Sequence, residues 1–156
     1  MKKTNFAAEK QSYALLSWFL VFVQLICLGF IFSSAPWRPI RVELQIWELS
    51  GAVIALSGVI GLNWHSFSIF PEPKNKGRLI TTGIFAYVRH PIYAGILIVC
   101  SALVWQFWTL SRVVALLILL TVFISKILKE EIFLLKKFPE YIEYKKNTNR
   151  LIPFLW

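Results

Sequence analysis

Aspartate is absent from this 156-residue chain, and histidine occurs only at positions 65 and 90. The first absence excludes an Asp-dependent catalytic triad, and the second leaves too few imidazoles for a buried multi-histidine metal site. Cysteine is equally scarce. Cys27 and Cys100 each lie inside an apolar run and form no CxxC pair, so they read as packing residues rather than a disulfide framework. Acidic charge is thin as well, with 8 glutamates against 17 Lys and Arg. The resulting net charge of +9 does not point to nucleic acid, because no basic face exists apart from the apolar segments. Cations held beside anionic headgroups account for it. No linker, repeat or low-complexity tract divides the chain, which reads as a single membrane domain over residues 1–156.

What the chain does have is apolar length. Hydrophobic residues make up 57% of it, gathered into runs that are long enough for membrane helices. No charge falls between Lys10 and Arg38, between Leu49 and Pro71, or, Arg112 apart, between His90 and Ser125. The first run is too long for a signal-peptide core, and Pro36 would follow the cut, so it reads as a retained helix. The aromatic, less apolar stretch from Gln106 to Ser111 divides the third run into a hairpin. The expectation is an all-α membrane bundle with about four spans, at 12–32, 47–66, 92–106 and 110–128, and a helical tail over 129–156. Gly51, Ala55 and Gly58 share one helical face, where small side chains let another helix come close. Of the 17 cations, 14 fall in the N-terminus, the middle loop and the tail, which places both termini in the cytosol.

Two polar clusters stand at the edge of these runs. Arg89, His90 and Tyr93 enter the third run beside Pro91, and ionisable groups at that depth are costly unless paired or hydrated. Arg89 snorkelling to headgroups and Pro91 starting a helix is the plainer explanation. Lys126, Lys129, Glu130 and Glu131 leave the membrane at the other end of the hairpin. Glu130 and Glu131 lie on different helical faces, so at least one of them points into protein.

Arg-His-Pro-Ile-Tyr at 89–93, an apolar hairpin, Glu-Glu at 130–131, and then Glu140-Tyr141, Tyr144 and Arg150-Leu151-Ile152-Pro153 follow in that order. Together they closely resemble the isoprenylcysteine carboxyl methyltransferase family, within a wider group that includes the phospholipid N-methyltransferases. The resemblance covers Lys76 to Pro153. It implies an S-adenosyl-L-methionine pocket closed by membrane helices and the tail, and a lipid or lipidated substrate arriving from the bilayer. It lays Gly77, Arg78, Leu79 and Ile80 along the cofactor and puts Phe85 where the family commonly has Tyr. His90, Pro91, Ile92 and Tyr93 match the cofactor-binding His-Pro-x-Tyr, and Glu130 matches the carboxylate that binds the cofactor. Lys126 holds the substrate-binding basic position, commonly Arg, and Tyr141, Tyr144 and Arg150 complete the substrate pocket. A carboxylate acceptor needs no base, whereas an amine acceptor requires one, for which His90 or Glu131 is the candidate. No metal is implied. An NADPH-dependent sterol-reductase-like enzyme shares part of the pattern, but Ala94 and Gly95 replace its polar residues after the Tyr. A small non-enzymatic membrane protein is the remaining alternative.

Overall fold

The computed structural model describes residues 2–33, 41–62 and 79–152, with side chains in the first segment from Leu15 onward. Five α-helices follow one another: α1 (Lys2–Ser33), α2 (Val42–Gly61), α3 (Pro91–Gln106), α4 (Leu110–Lys137) and α5 (Tyr141–Lys146). A 3-10 turn over Gly83–Ala86 precedes α3. Among the described residues the extended pairing is confined to an isolated parallel bridge between Val88 and Asn149. The fold is an all-α membrane bundle. Leu15–Ser33, Val42–Gly61 and Leu110–Lys137 are each long and apolar enough to cross a bilayer.

The second helix begins at Val42, ahead of the expected 47–66, and residues 63–66 lie outside the described set. Glu43 and Glu48 precede the uncharged run that set the expectation, yet the helix includes them, and an acid in a first turn suits the helix dipole. α4 continues from the span through its amphipathic extension to Lys137, one residue short of Phe138-Pro139. With 16 residues α3 rises about 24 Å, less than the hydrocarbon thickness of roughly 30 Å, whereas α4 exceeds it. The hairpin therefore joins a short helix to a long one.

α3 is the centre of the bundle. On one side it meets α1 and α4 in a core of Leu20, Cys27, Ile31, Cys100, Leu103, Val104, Leu119, Val122 and Phe123. Both cysteines are free thiols in that core. On its other side α3 lies against α2 through glycine. A Cβ added at Gly51 would stand 2.8 Å from the Gly95 carbonyl oxygen, and one at Gly58 2.8 Å from Ile92 Cγ1. The small face read from Gly51, Ala55 and Gly58 thus has Gly95 as its counterpart. Arg112 closes the hairpin: it is buried, its guanidinium donates to the Phe107 carbonyl, and it lies 5.5 Å from the Phe107 ring centroid. The Thr109 hydroxyl caps α4 by accepting from the Arg112 amide at 3.4 Å.

These contacts fix relative direction. Gly58 meets Ile92 while Gly51 meets Ile98, so α2 and α3 are antiparallel. Ser17 meets Lys129 and Gln24 meets Lys126, so α1 and α4 are antiparallel too. The end of α2, the start of α3 and the end of α4 consequently share one side of the bundle.

Candidate active site

The hairpin determines which residues meet at that end. Tyr93 and Phe123 are equidistant in sequence from Trp108, and their rings stack with centroids 4.7 Å apart. Further out, one turn before Tyr93 and two turns beyond Phe123, His90 stands against Glu130 and Glu131. His90 Nδ1 lies 3.2 Å from Glu130 Oε2, and Nε2 lies 3.9 Å from Glu131 Oε1. The Tyr93 hydroxyl donates to Glu130 Oε1 at 2.6 Å. Glu130 is therefore oriented by two neighbours while its side chain keeps 19% of its surface open.

Glu131 is the acid that points inward, with a side chain only 4% exposed. Arg89 Nε donates to its Oε1 at 3.0 Å. Arg150 reaches it through two nitrogens, at 3.1 and 3.0 Å. Lys145 Nζ stands 3.3 Å from Oε2. A buried guanidinium, a second guanidinium and an ammonium thus converge on one carboxylate, which offsets the desolvation of each ion.

This hub straps the C-terminal segment over the start of α3. Arg89 Nη1 donates to the Lys145 carbonyl at 3.1 Å and also to the Thr148 carbonyl. Backbone pairing continues the strap, with the Arg89 amide on Asn149 O at 2.8 Å and the His90 amide on Arg150 O at 3.0 Å. The Tyr144 hydroxyl donates to Phe85 O at 2.7 Å, and burial pushes its pKa up to about 12, so it stays protonated. Burial also raises Tyr141, which packs edge-on against Tyr144. Gly83, at φ 64°, supplies the left-handed residue that opens the 3-10 turn beneath this strap.

Several expected site residues therefore gather here: His90, Pro91, Tyr93, Glu130, Glu131, Tyr141, Tyr144 and Arg150. Others are placed differently. Phe85 is buried, and a Cβ at Gly61 would stand 3.0 Å from its ring, so it packs toward α2. Lys126 is 1% exposed; its ammonium donates to Gln24 Oε1 at 2.8 Å and lies 5.3 Å from the Tyr93 ring centroid. Ile92 turns toward Gly58 of α2. Leu79 and Ile80 are half-buried in extended chain before the turn, while Gly77 and Arg78 lie outside the described residues. Arg89, Lys145 and Gln24 were not among the expected site residues. Of these only Arg89 carried a sequence signal, a cation beside His90 at the membrane edge.

The surroundings of His90 and Glu131 bear on the expectation that one of them serves as a general base. Burial opposes a charge on His90, but hydrogen bonds and charge from Glu130 and Glu131 outweigh it and raise its pKa above 6.5. The two carboxylates favour the protonated imidazole more than water does, and Glu131 is enclosed by cations of its own. A raised folded-state pKa adds stability that is fully present below the unfolded value and is lost as pH climbs through the folded one. Thermal melting in detergent is accordingly expected to fall as pH rises from 6.5 upward, with a flatter profile for His90→Asn. Parallel profiles for the two proteins would refute the imidazolium.

The family model for isoprenylcysteine carboxyl methyltransferases matches residues 49–136, a segment that contains the greater part of α2, all of α3 and nearly all of α4. The chain belongs to that family. It is 34% identical over 101 residues to the protein-S-isoprenylcysteine O-methyltransferase of Saccharomyces cerevisiae, an overlap of 58% of this chain and 40% of that protein. The chain thus spans less than half the length of this relative, and α1 and the strap lie outside the segment matched by the family model.

Proposed function

We propose that this chain is an integral membrane methyltransferase that uses S-adenosyl-L-methionine and methylates the carboxylate of a lipidated acceptor such as an S-prenylated cysteine. The observation that carries this reading is Glu130, a partly open carboxylate fixed by Tyr93 and His90 beside a cluster of cations. S-adenosylmethionine, when bound, supplies an electrophilic sulfonium methyl group. The donor set suits its zwitterionic end: Glu130 would take the ammonium, and Arg150 and Lys145, 21% and 39% exposed, the carboxylate. Tyr93 offers an aromatic face, and the strap over residues 87–90 excludes water from one side.

The base argument narrows the acceptor. An amine must be deprotonated before it attacks, and the Glu131 carboxylate is already engaged by Arg89, Arg150 and Lys145. An acceptor that arrives as an anion needs only to be held in line, and Lys126 is the cation beside Tyr93 for that purpose. With most cations on the side where α3 begins and α4 ends, that side and both termini face the cytosol.

Calorimetry with S-adenosylhomocysteine in detergent tests this reading. Wild-type protein is expected to bind it and not NADPH. Glu130→Gln is expected to weaken binding by roughly 10- to 100-fold, the scale of a charge-assisted hydrogen bond, while Lys137→Gln leaves it unchanged. Equal losses in both variants would dismiss the Glu130 assignment, and binding of neither ligand would dismiss an enzyme of either kind.

A further inference from the structure

α1 lies outside the segment matched by the family model, yet it reaches the site. Among its described residues, Ser17 and Gln24 are the buried polar side chains, two turns apart on one helical face, and both face α4. Ser17 Oγ lies 3.4 Å from Lys129 Nζ, and Gln24 Oε1 accepts from Lys126 Nζ at 2.8 Å. An amide buried in an apolar helix face is costly unless hydrogen-bonded, so its placement on the ammonium is specified by the fold. The same ammonium lies over the Tyr93 ring, and Tyr93 holds Glu130. A continuous line of contacts therefore runs from Gln24 on α1, through Lys126 and Tyr93, to the carboxylate assigned to the cofactor.

We infer that Gln24 is a positioning residue for acceptor binding: it fixes the Lys126 ammonium over Tyr93 with a neutral oxygen, orienting the charge without cancelling it. The inference rests on the methyltransferase reading above and concerns the acceptor end of the same site. A lysine stem has four rotatable bonds, and a buried ammonium goes wherever an acceptor is offered. A carboxamide at 24 holds the ammonium at the site without adding an opposing charge of its own. A carboxylate at 24 would keep the position and neutralise the charge. An apolar residue would leave the charge but release its position.

The test uses the full chain in nanodiscs, with an S-prenylated N-acetylcysteine as acceptor. Gln24→Leu and Gln24→Glu are each expected to raise KM for that acceptor by about tenfold, the scale of one charge-assisted hydrogen bond. Their kcat and their affinity for S-adenosylhomocysteine should stay near wild type, the latter also reporting that the site is folded. Placed on a Lys126→Met background, Gln24→Leu should add nothing further to KM. If both Gln24 variants keep the wild-type KM, or if Gln24→Leu acts fully on top of Lys126→Met, the inference is overturned while the enzyme reading stands. If wild-type protein binds no S-adenosylhomocysteine and does not methylate the acceptor, both fall together.

Discussion

Glu131→Gln is expected to destabilise the folded protein by about 3–5 kcal/mol, the cost of stranding a buried ion by removing its partner. The substitution preserves shape and one acceptor oxygen, so it isolates charge. Arg89 suffers most, since its side chain is 6% exposed and Glu131 is the carboxylate it bonds. Arg150 is partly open and loses two charge-assisted hydrogen bonds. Lys145 is exposed enough that water replaces much of what it loses, and it adds little. The loss is structural before it is catalytic. Glu131 is the anchor on α4 for a strap that is also held by backbone pairing at residues 87–90, by Arg89 on the Lys145 and Thr148 carbonyls and by the hydroxyl of Tyr144. Tryptic cleavage after Lys145 or Lys146 is therefore expected to accelerate in Glu131→Gln, together with a lower melting temperature in detergent. A variant that melts like wild type and resists trypsin equally would show that the hub is not held by charge. Arg89→Leu should be nearly as costly, and the double variant less costly than the two losses combined, because the partners share one interaction.

The parts of the fold set by run length and period were legible in the sequence. The apolar runs located the three helices long and apolar enough to cross a bilayer and the shorter apolar α3, and the aromatic stretch at 106–111 located the turn between α3 and α4. The adjacency of Glu130 and Glu131 required one of them to face inward, and Glu131 does. Illegible were the partners that arrive from far along the chain. Nothing in the spacing of Lys145, Thr148 and Arg150 shows that they return to Arg89, because that pairing depends on the path of the strap after Pro139. Gln24 reads as one polar residue in an apolar helix until α1 is set against α4. The surroundings of the candidate bases were not visible in the spacing: Glu131 is enclosed by cations, and His90 stands beside two carboxylates. The resemblance supplied residue roles that periodicity could not, and it left α1 without one.

Gly95→Leu is expected to disrupt the protein more than any change that spares the charged cluster, at a cost of at least about 3 kcal/mol for overpacking. A Cβ at 95 would strike the Gly51 carbonyl oxygen and stand 2.5 Å from the Ala55 backbone nitrogen. Both obstacles are backbone atoms of α2, so no rotamer relieves them and the helices must separate. α2 also touches the beginning of α3, where Gly58 meets Pro91 and Ile92, the two residues directly before Tyr93. Separation therefore reaches the residues that orient Glu130, and S-adenosylhomocysteine affinity should fall along with the melting temperature. Gly95→Ala is expected to show the same pattern at about 1–3 kcal/mol. Helix propensity alone predicts the opposite sign, because Ala and Leu are both better helix formers than Gly by up to about 1 kcal/mol. Gly29 separates the two effects: a Cβ there meets nothing within 4 Å. Gly29→Leu should leave melting unchanged or raise it, while the identical substitution at 95 lowers it. Equal behaviour at the two positions would mean that α2 and α3 do not pack backbone to backbone.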